Sequence, residues 1–310
     1  MTPSFLLYIV TYLSVATFVA AVVVKFLRFQ KMPLHLRWEL YPVAHEPGDK
    51  ASYGGSKLEE VDWWKKQAKQ SRLNELKAMI PEMLFLVALF ENNKKLWWRS
   101  FPFHFGLYLI AGSIGLNILG TILELAGIPV TESGSIGAMI YHITPFVFIA
   151  GLFLATFGVL GLIQIRLFDA GTSKYSSLKD KCNLLLFLVV FIVAWFTFFL
   201  VDPHFIVTRF FIQNLLTLNF TMPVDSSLLI LELFLTVLIT AYIPLTHMAH
   251  FFLKWFTWHK IRWDDTANIR GGEIEKIIEK QVKYPVTWAA KHLNADGKKN
   301  WVDIATEELK

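Results

Sequence analysis

The residues of this chain with the clearest chemical use are histidines set in apolar surroundings. His247 and His250 stand three residues apart in Pro244-Leu-Thr-His-Met-Ala-His250, near the end of an apolar run that opens at Leu228. His104 stands in Phe101-Pro-Phe-His104-Phe-Gly106, at the start of another such run. Histidine is costly at membrane depth, so one on a spanning helix reads as functional. At a spacing of three, His247 and His250 share a helix face. Neutral imidazole is a standard axial ligand of haem iron, and two imidazoles from two helices would hold one haem b. His142, Asp202, His204 and Glu232 also interrupt or bound the apolar runs, where they could carry protons. A zinc site on His247-x-x-His250 lacks a nearby Cys or carboxylate to complete it.

Positioning such groups takes a set of spanning helices. The 310-residue chain is 54% hydrophobic and 15% aromatic, with mean hydropathy +0.44, which is too apolar for one soluble domain. The single cysteine, Cys182, excludes a disulfide framework, a Cys-ligated iron–sulfur cluster and a Cys-rich zinc site. A redox centre here is therefore haem, flavin or quinone. The net charge of +5 lies in the loops between apolar runs, which argues against a nucleic-acid partner.

Five segments are long enough to cross a bilayer as helices, roughly 4–25, 101–124, 138–164, 183–202 and 228–253. The first follows no basic leader and reads as a retained span. Residues 25–99 carry 14 Lys or Arg, 166–181 carry 4 and 254–310 carry 11, while Arg209 alone lies on the other side. The positive-inside rule therefore places the N-terminus outside and the C-terminus in the cytoplasm. The expected fold is all-α and integral to the cell inner membrane, with five transmembrane helices around haem. Residues 1–27 are its first helix, 28–100 a cytoplasmic loop, 101–254 a four-helix haem b bundle and 255–310 a cytoplasmic docking tail.

Within the loop, Met32 to Pro47 mixes proline with aromatics, and Tyr53-Gly-Gly-Ser signals a turn. Ile80 to Phe90 is apolar but too short to span, and Trp97 and Trp98 follow it. That reads either as an interfacial helix or as a helix packed on the membrane domain. The tail, with Tyr284, Trp288 and Trp301, reads as a short docking module rather than a disordered end.

In this orientation His104 enters from the cytoplasmic side and His250 returns to it. The two match in depth on antiparallel passes, as a bis-imidazole haem b requires. His247 competes with His250 as ligand, or would orient it or meet a propionate. Gly106, Ala111, Gly112, Ser113 and Gly115 leave room for a flat macrocycle or for close helix approach. Arg99, Arg166 and Lys254 lie near enough to the inner surface to pair with propionates, or serve as ordinary positive-inside anchors. The competing reading of the histidine pair is a polar contact between helices.

Beyond these patterns, the chain resembles the gamma, cytochrome b, subunits of respiratory nitrate reductase and their relatives in sulfate reducers and heterodisulfide reductase. Phe103-His104-Phe-Gly106, Gly158-Val-Leu-Gly-Leu-Ile-Gln-Ile-Arg-Leu-Phe168 and Pro244 to His250 carry the likeness. His35 to Pro42, Phe256 to Asp265 and Val286 to His292 are similar to the sulfate-reducer branch, above all to the subunit of its tetrahaem cytochrome complex. The resemblance implies haem b on His104 and His250, menaquinone as redox partner and a cytoplasmic iron–sulfur subunit. It also implies a periplasmic multihaem cytochrome c as a further partner.

The nitrate reductase pattern has a second histidine pair, and here Ile114 and Glu232 occupy those positions. A second haem is therefore not carried over, although His142 and His204 could ligate one by a different pairing or simply line a cavity. On one continuous helix, eighteen residues are five turns, so Glu232 would face the same way as His250 near the outer surface. There it would accept a quinol proton. Two rivals remain from other classes, a haem-free membrane anchor and a proton-coupled transporter.

Overall fold

The computed structural model describes residues 3–31, 59–66, 71–134, 136–220, 224–254, 256, 268–290, 292 and 294–308. The Met32–Pro47 stretch, the Tyr53 turn and most of the aromatic segment after Phe256 lie outside them. In chain order the helices are α1 (Pro3–Gln30), α2 (Arg72–Phe85), α3 (Val87–Asn92), α4 (Lys94–Leu125) and α5 (Ile136–Phe168). Next come α6 (Ala170–Lys174), α7 (Leu178–Leu200), α8 (Ile206–Leu216), α9 (Ser227–Leu245) and α10 (His250–Lys254). The tail adds α11 (Glu273–Gln281), strands β1 (Ala289–Ala290) and β2 (Ala295–Asp296), and α12 (Trp301–Thr306). Five of these, α1, α4, α5, α7 and α9, are long and apolar enough to cross a membrane. The expected five-span, multi-pass architecture is therefore present.

The chain divides into two units, residues 1–20 with 79–246, and residues 21–78 with 247–310. In the first, α4 and α5 pack antiparallel on a seam of glycines. A Cβ on Gly106 would lie 2.6 Å from the Gly151 carbonyl oxygen, and one on Gly158 would lie 2.6 Å from Phe103 Cα. Small residues at this spacing let two helices pack without a hydrophobic drive between them. Phe103, buried in the seam, stacks edge-on against Phe187 of α7 at 5.4 Å. The Trp195 indole donates to Thr156 across α5 and α7 at 3.1 Å, and Tyr242 of α9 donates to Asn183 of α7 at 2.8 Å.

Ion pairs close the basic end of these helices. Lys95 pairs with Asp169, and Arg166 with Asp180 at 3.6 Å. Hydrogen bonds from Lys95 and from Thr172 hold the Asp169 carboxyl below the usual carboxylate range. Asp180 also completes a capping box with Ser177 that starts α7.

Helix α8 was not expected from hydropathy. It packs on α4, and its side chains meet the first turns of α1. Tyr8 stacks on Phe211 at 4.9 Å, and one turn further along each helix Tyr12 donates to the Leu215 carbonyl. The chain then returns, so that Val224 N donates to Ser4 Oγ at 2.9 Å. Leu7, Tyr8, Phe211, Val224 and Leu229 form one buried cluster there.

Span five is shorter than the expected 228–253. Pro244 has no N–H for the Thr240 carbonyl, and extended Thr246 caps the end with its N–H on Ile243 O at 3.2 Å. A 3-10 turn, His247–Ala249, precedes α10. The Ile80–Phe90 segment is likewise two helices, broken at Leu86 with φ 53° and packed on α4.

In the second unit the tail is folded. The β1–β2 ladder pairs Ala289 with Asp296, and it is the only sheet among the described residues. Ala295 of β2 and Val286 are buried, and Asn300 and Asp303 form a capping box for α12. The Asp296 carboxyl accepts from the N–H groups of Lys298 and Lys299, which holds it below its usual range.

Candidate functional site

His104 sits on the second turn of α4 after Arg99. Its neighbour Phe103 is locked against Gly158, so the glycine seam fixes the local position of the ring. His104 Nδ1 lies 2.7 Å from the Ser100 carbonyl oxygen. A carbonyl only accepts, so Nδ1 carries the hydrogen and the lone pair is on Nε2. That is the tautomer of a metal-ligating histidine held by a backbone carbonyl.

One turn before, Arg99 packs its Cγ on Gly161 and donates to the Lys95 carbonyl at 2.5 Å. Its Nε is buried without a hydrogen-bond partner among the described residues, which suits an anionic group such as a propionate. Arg166 is already paired with Asp180. The side chain of Lys254 lies outside the description.

His247 and His250 belong to the second unit. His250 Nδ1 lies 3.2 Å from the His247 carbonyl oxygen, so its lone pair is also on Nε2. The two stay adjacent in one turn, but not on a continuous span-five helix. The break at Thr246 ends the continuous helix on which the expected common facing of Glu232 and His250 rested.

The other end of the first unit gathers more polar groups. His142 and His204 flank one ring, that of Tyr141. His204 is stacked on it at 4.5 Å and His142 lies edge-on at 5.1 Å. His142 Nε2 lies 3.2 Å from the Glu132 carbonyl oxygen, and His204 Nδ1 is buried with no partner among the described residues. Asp202 has a structural task, because its carboxylate accepts from Val207 N at 3.3 Å and Thr208 N at 2.7 Å. It caps α8 and is withdrawn as a proton-transfer group. The Glu232 carboxyl lies near the Thr197 hydroxyl, which itself donates to the Val193 carbonyl at 3.0 Å, and near the Asp202 charge.

Arg209 and Glu124 escaped the sequence reading as a pair. Arg209 is 1% exposed and donates to Glu124 at 3.1 Å, to the His204 carbonyl at 2.9 Å and to the Val130 carbonyl at 3.3 Å. The signal was available, since an ionisable residue inside an apolar stretch marks a buried pair or a site.

Among the described residues no three His, Cys, Asp or Glu side chains gather as a metal cage. A macrocycle held by two imidazoles needs no such gathering. No protein-family model, curated protein or solved structure matches the chain.

Proposed function

We propose that the chain is the membrane cytochrome b subunit of a respiratory redox complex, passing electrons between menaquinone and a cytoplasmic iron–sulfur subunit. The observation that supports it best is the shared geometry of His104 and His250. Each gives Nδ1–H to a backbone carbonyl and keeps a lone pair on Nε2. Both lie close to the basic ends of uncharged runs, His104 after Arg99 and His250 before Lys254, which the positive-inside rule puts on the cytoplasmic side.

When bound, haem b supplies one-electron exchange. The protein does the rest. His104 and His250 would hold the haem, each oriented through Nδ1 by a backbone carbonyl, of Ser100 and of His247. Arg99 offers its Nε to a propionate, and the α4–α5 seam keeps water from that side. Toward the outer end Glu232, beside Thr197, takes the proton that a quinol releases. The basic loops and the folded tail receive the iron–sulfur subunit, and a multihaem cytochrome c would meet the periplasmic end.

A second reading, a proton-coupled transporter, has one observation in its favour: α8 is a half-length helix packed on α4, next to the ionisable cluster of Glu124, Arg209 and His204. A reduced-minus-oxidised optical spectrum of the purified protein separates the two. We expect a low-spin haem b signal of one haem per polypeptide, lost in His104→Ala and in His250→Ala while the chain still inserts. A haem-free wild-type protein, or full haem in both variants, would refute the proposal.

A further inference from the structure

The end of α2 is capped by the spanning helix beside it. A helix leaves its last carbonyls without partners. Here the Tyr108 hydroxyl donates to the Met83 carbonyl at 3.1 Å, and the Trp97 indole donates to the Phe85 carbonyl at 2.7 Å. Leu86 N takes the Glu82 carbonyl at 3.2 Å as the chain turns through left-handed Leu86. The Glu82 carboxylate in turn accepts from Ala88 N at 2.8 Å, which starts α3. Water would satisfy these carbonyls at no cost in side chains. Hydrocarbon would not, and each unsatisfied backbone group there costs several kcal/mol.

The depth of this elbow follows from α4. Arg99 is the last basic residue before the uncharged run, and Tyr108 lies nine residues further along. That is about 13 Å at the α-helical rise, and a helical tyrosine leans back toward the N-terminus by up to a turn. The Met83 carbonyl therefore sits roughly 8 Å on the apolar side of Arg99.

From Met83 to Phe90 the sequence carries no charge. Ile80, Met83, Leu84, Phe85 and Phe90 are 39–48% exposed, a row continuous with the exposed apolar face of α4 at Tyr108 and Ile114. Aromatic rings seal the join. Phe90 meets Trp97 at 5.0 Å, and Trp97 stacks on Phe101 at 4.7 Å. Trp97 and Phe101 share the α4 face that carries His104.

We propose that Met79–Phe90 is a re-entrant wedge, seated in the hydrocarbon of the leaflet at the basic end of the helices, with acyl chains against its exposed row. It does not span. It enters, turns at Leu86 and leaves on the same side, and it walls one flank of the His104 turn from water. The inference needs only the spanning character of α4, not haem.

Nitroxide accessibility in liposomes tests it on the full chain. The exposed Cys182 is first replaced by Ser, and single labels are placed at Leu84→Cys, at Ile114→Cys as the lipid reference and at Glu91→Cys as the aqueous one. The wedge gives Leu84 the oxygen-to-nickel-chelate collision ratio of Ile114, several-fold above that of Glu91. A ratio equal to that of Glu91 overturns it, because the elbow is then in water. Low collision with both probes also overturns it, because protein then covers the row. Ile80→Cys is read the same way and keeps the test decisive should the Leu84 variant not fold. Tyr108→Phe should shift the Leu84 ratio toward the aqueous reference, since the Met83 carbonyl loses its donor.

Discussion

Replacing Gly106 by alanine adds one methyl group at a close-packed part of the α4–α5 seam. That methyl would sit 2.6 Å from the Gly151 carbonyl oxygen and 2.8 Å from Ala155 Cα. Carbon contacts are comfortable at about 3.5–4.0 Å, so the helices must part by about 1 Å. Both obstacles are backbone atoms, so no side chain can swing aside. Parting by that much forfeits a quarter to a half of the dispersion energy along the seam, and overpacking costs about 1–3 kcal/mol. Alanine returns about 1 kcal/mol of helix propensity. We expect a net loss of up to about 2 kcal/mol. Gly112 is the internal control, because a Cβ there meets nothing within 4 Å. Gly112→Ala should be neutral or stabilising, by up to about 1 kcal/mol. Unfolding in mixed micelles, followed by circular dichroism, measures both. Equal effects of the two substitutions would refute the close-packed seam.

Two further outcomes follow from the opposite end. Glu124→Gln leaves the buried Arg209 guanidinium without its counter-charge. Glu124 is 26% exposed, so the loss should fall below the ~3–5 kcal/mol of a fully buried pair, at about 2 kcal/mol in the same unfolding assay. An unchanged stability would show that the pair is idle. Glu232→Gln keeps the shape and much of the hydrogen bonding beside Thr197 but cannot take a proton. On the proposed function it should keep its haem and slow haem reduction by a menaquinol analogue at least about tenfold in stopped flow. An unchanged rate would leave Glu232 structural and move the quinone chemistry toward His142 and His204.

The five spans were legible because charge-free runs of their length have one economical solution in a bilayer. Hydropathy says nothing about helix continuity, and so the run through His250 hid the stop at Thr246. It also hid α8, whose eleven residues are too few to span and whose arginine looked like a loop charge. Composition did not separate Gly106 from Gly112, because only the partner helix decides which small residue is pressed against backbone. Asp202 was misread for a similar reason. A carboxylate at the edge of an apolar run is suited to proton transfer and to helix capping alike, and the N–H groups of Val207 and Thr208 decide for the cap. His104 was the reverse case. The sequence offered an imidazole near the membrane edge, and the Ser100 carbonyl supplied the tautomer that makes it useful.

Arg209 also bears on which way the protein faces. It is the one basic residue that stands against the positive-inside orientation. In the folded protein its charge is answered by Glu124 and two carbonyls, so it offers nothing to a partner or to a headgroup. Residues 25–99, 166–181 and 254–310 together carry a net charge of +9, and the remainder of the chain carries −4. On the proposed function, the basic side would suit a partner with an acidic docking face, since charge complementarity steers association as well as register. The carboxylate-rich side, with Glu124 already committed to Arg209 and Asp202 to α8, leaves Glu232 as the acid set inside a span beside a hydroxyl. On the proposed function, a haem near the basic side would take the quinol's electrons and Glu232 a proton that the quinol releases.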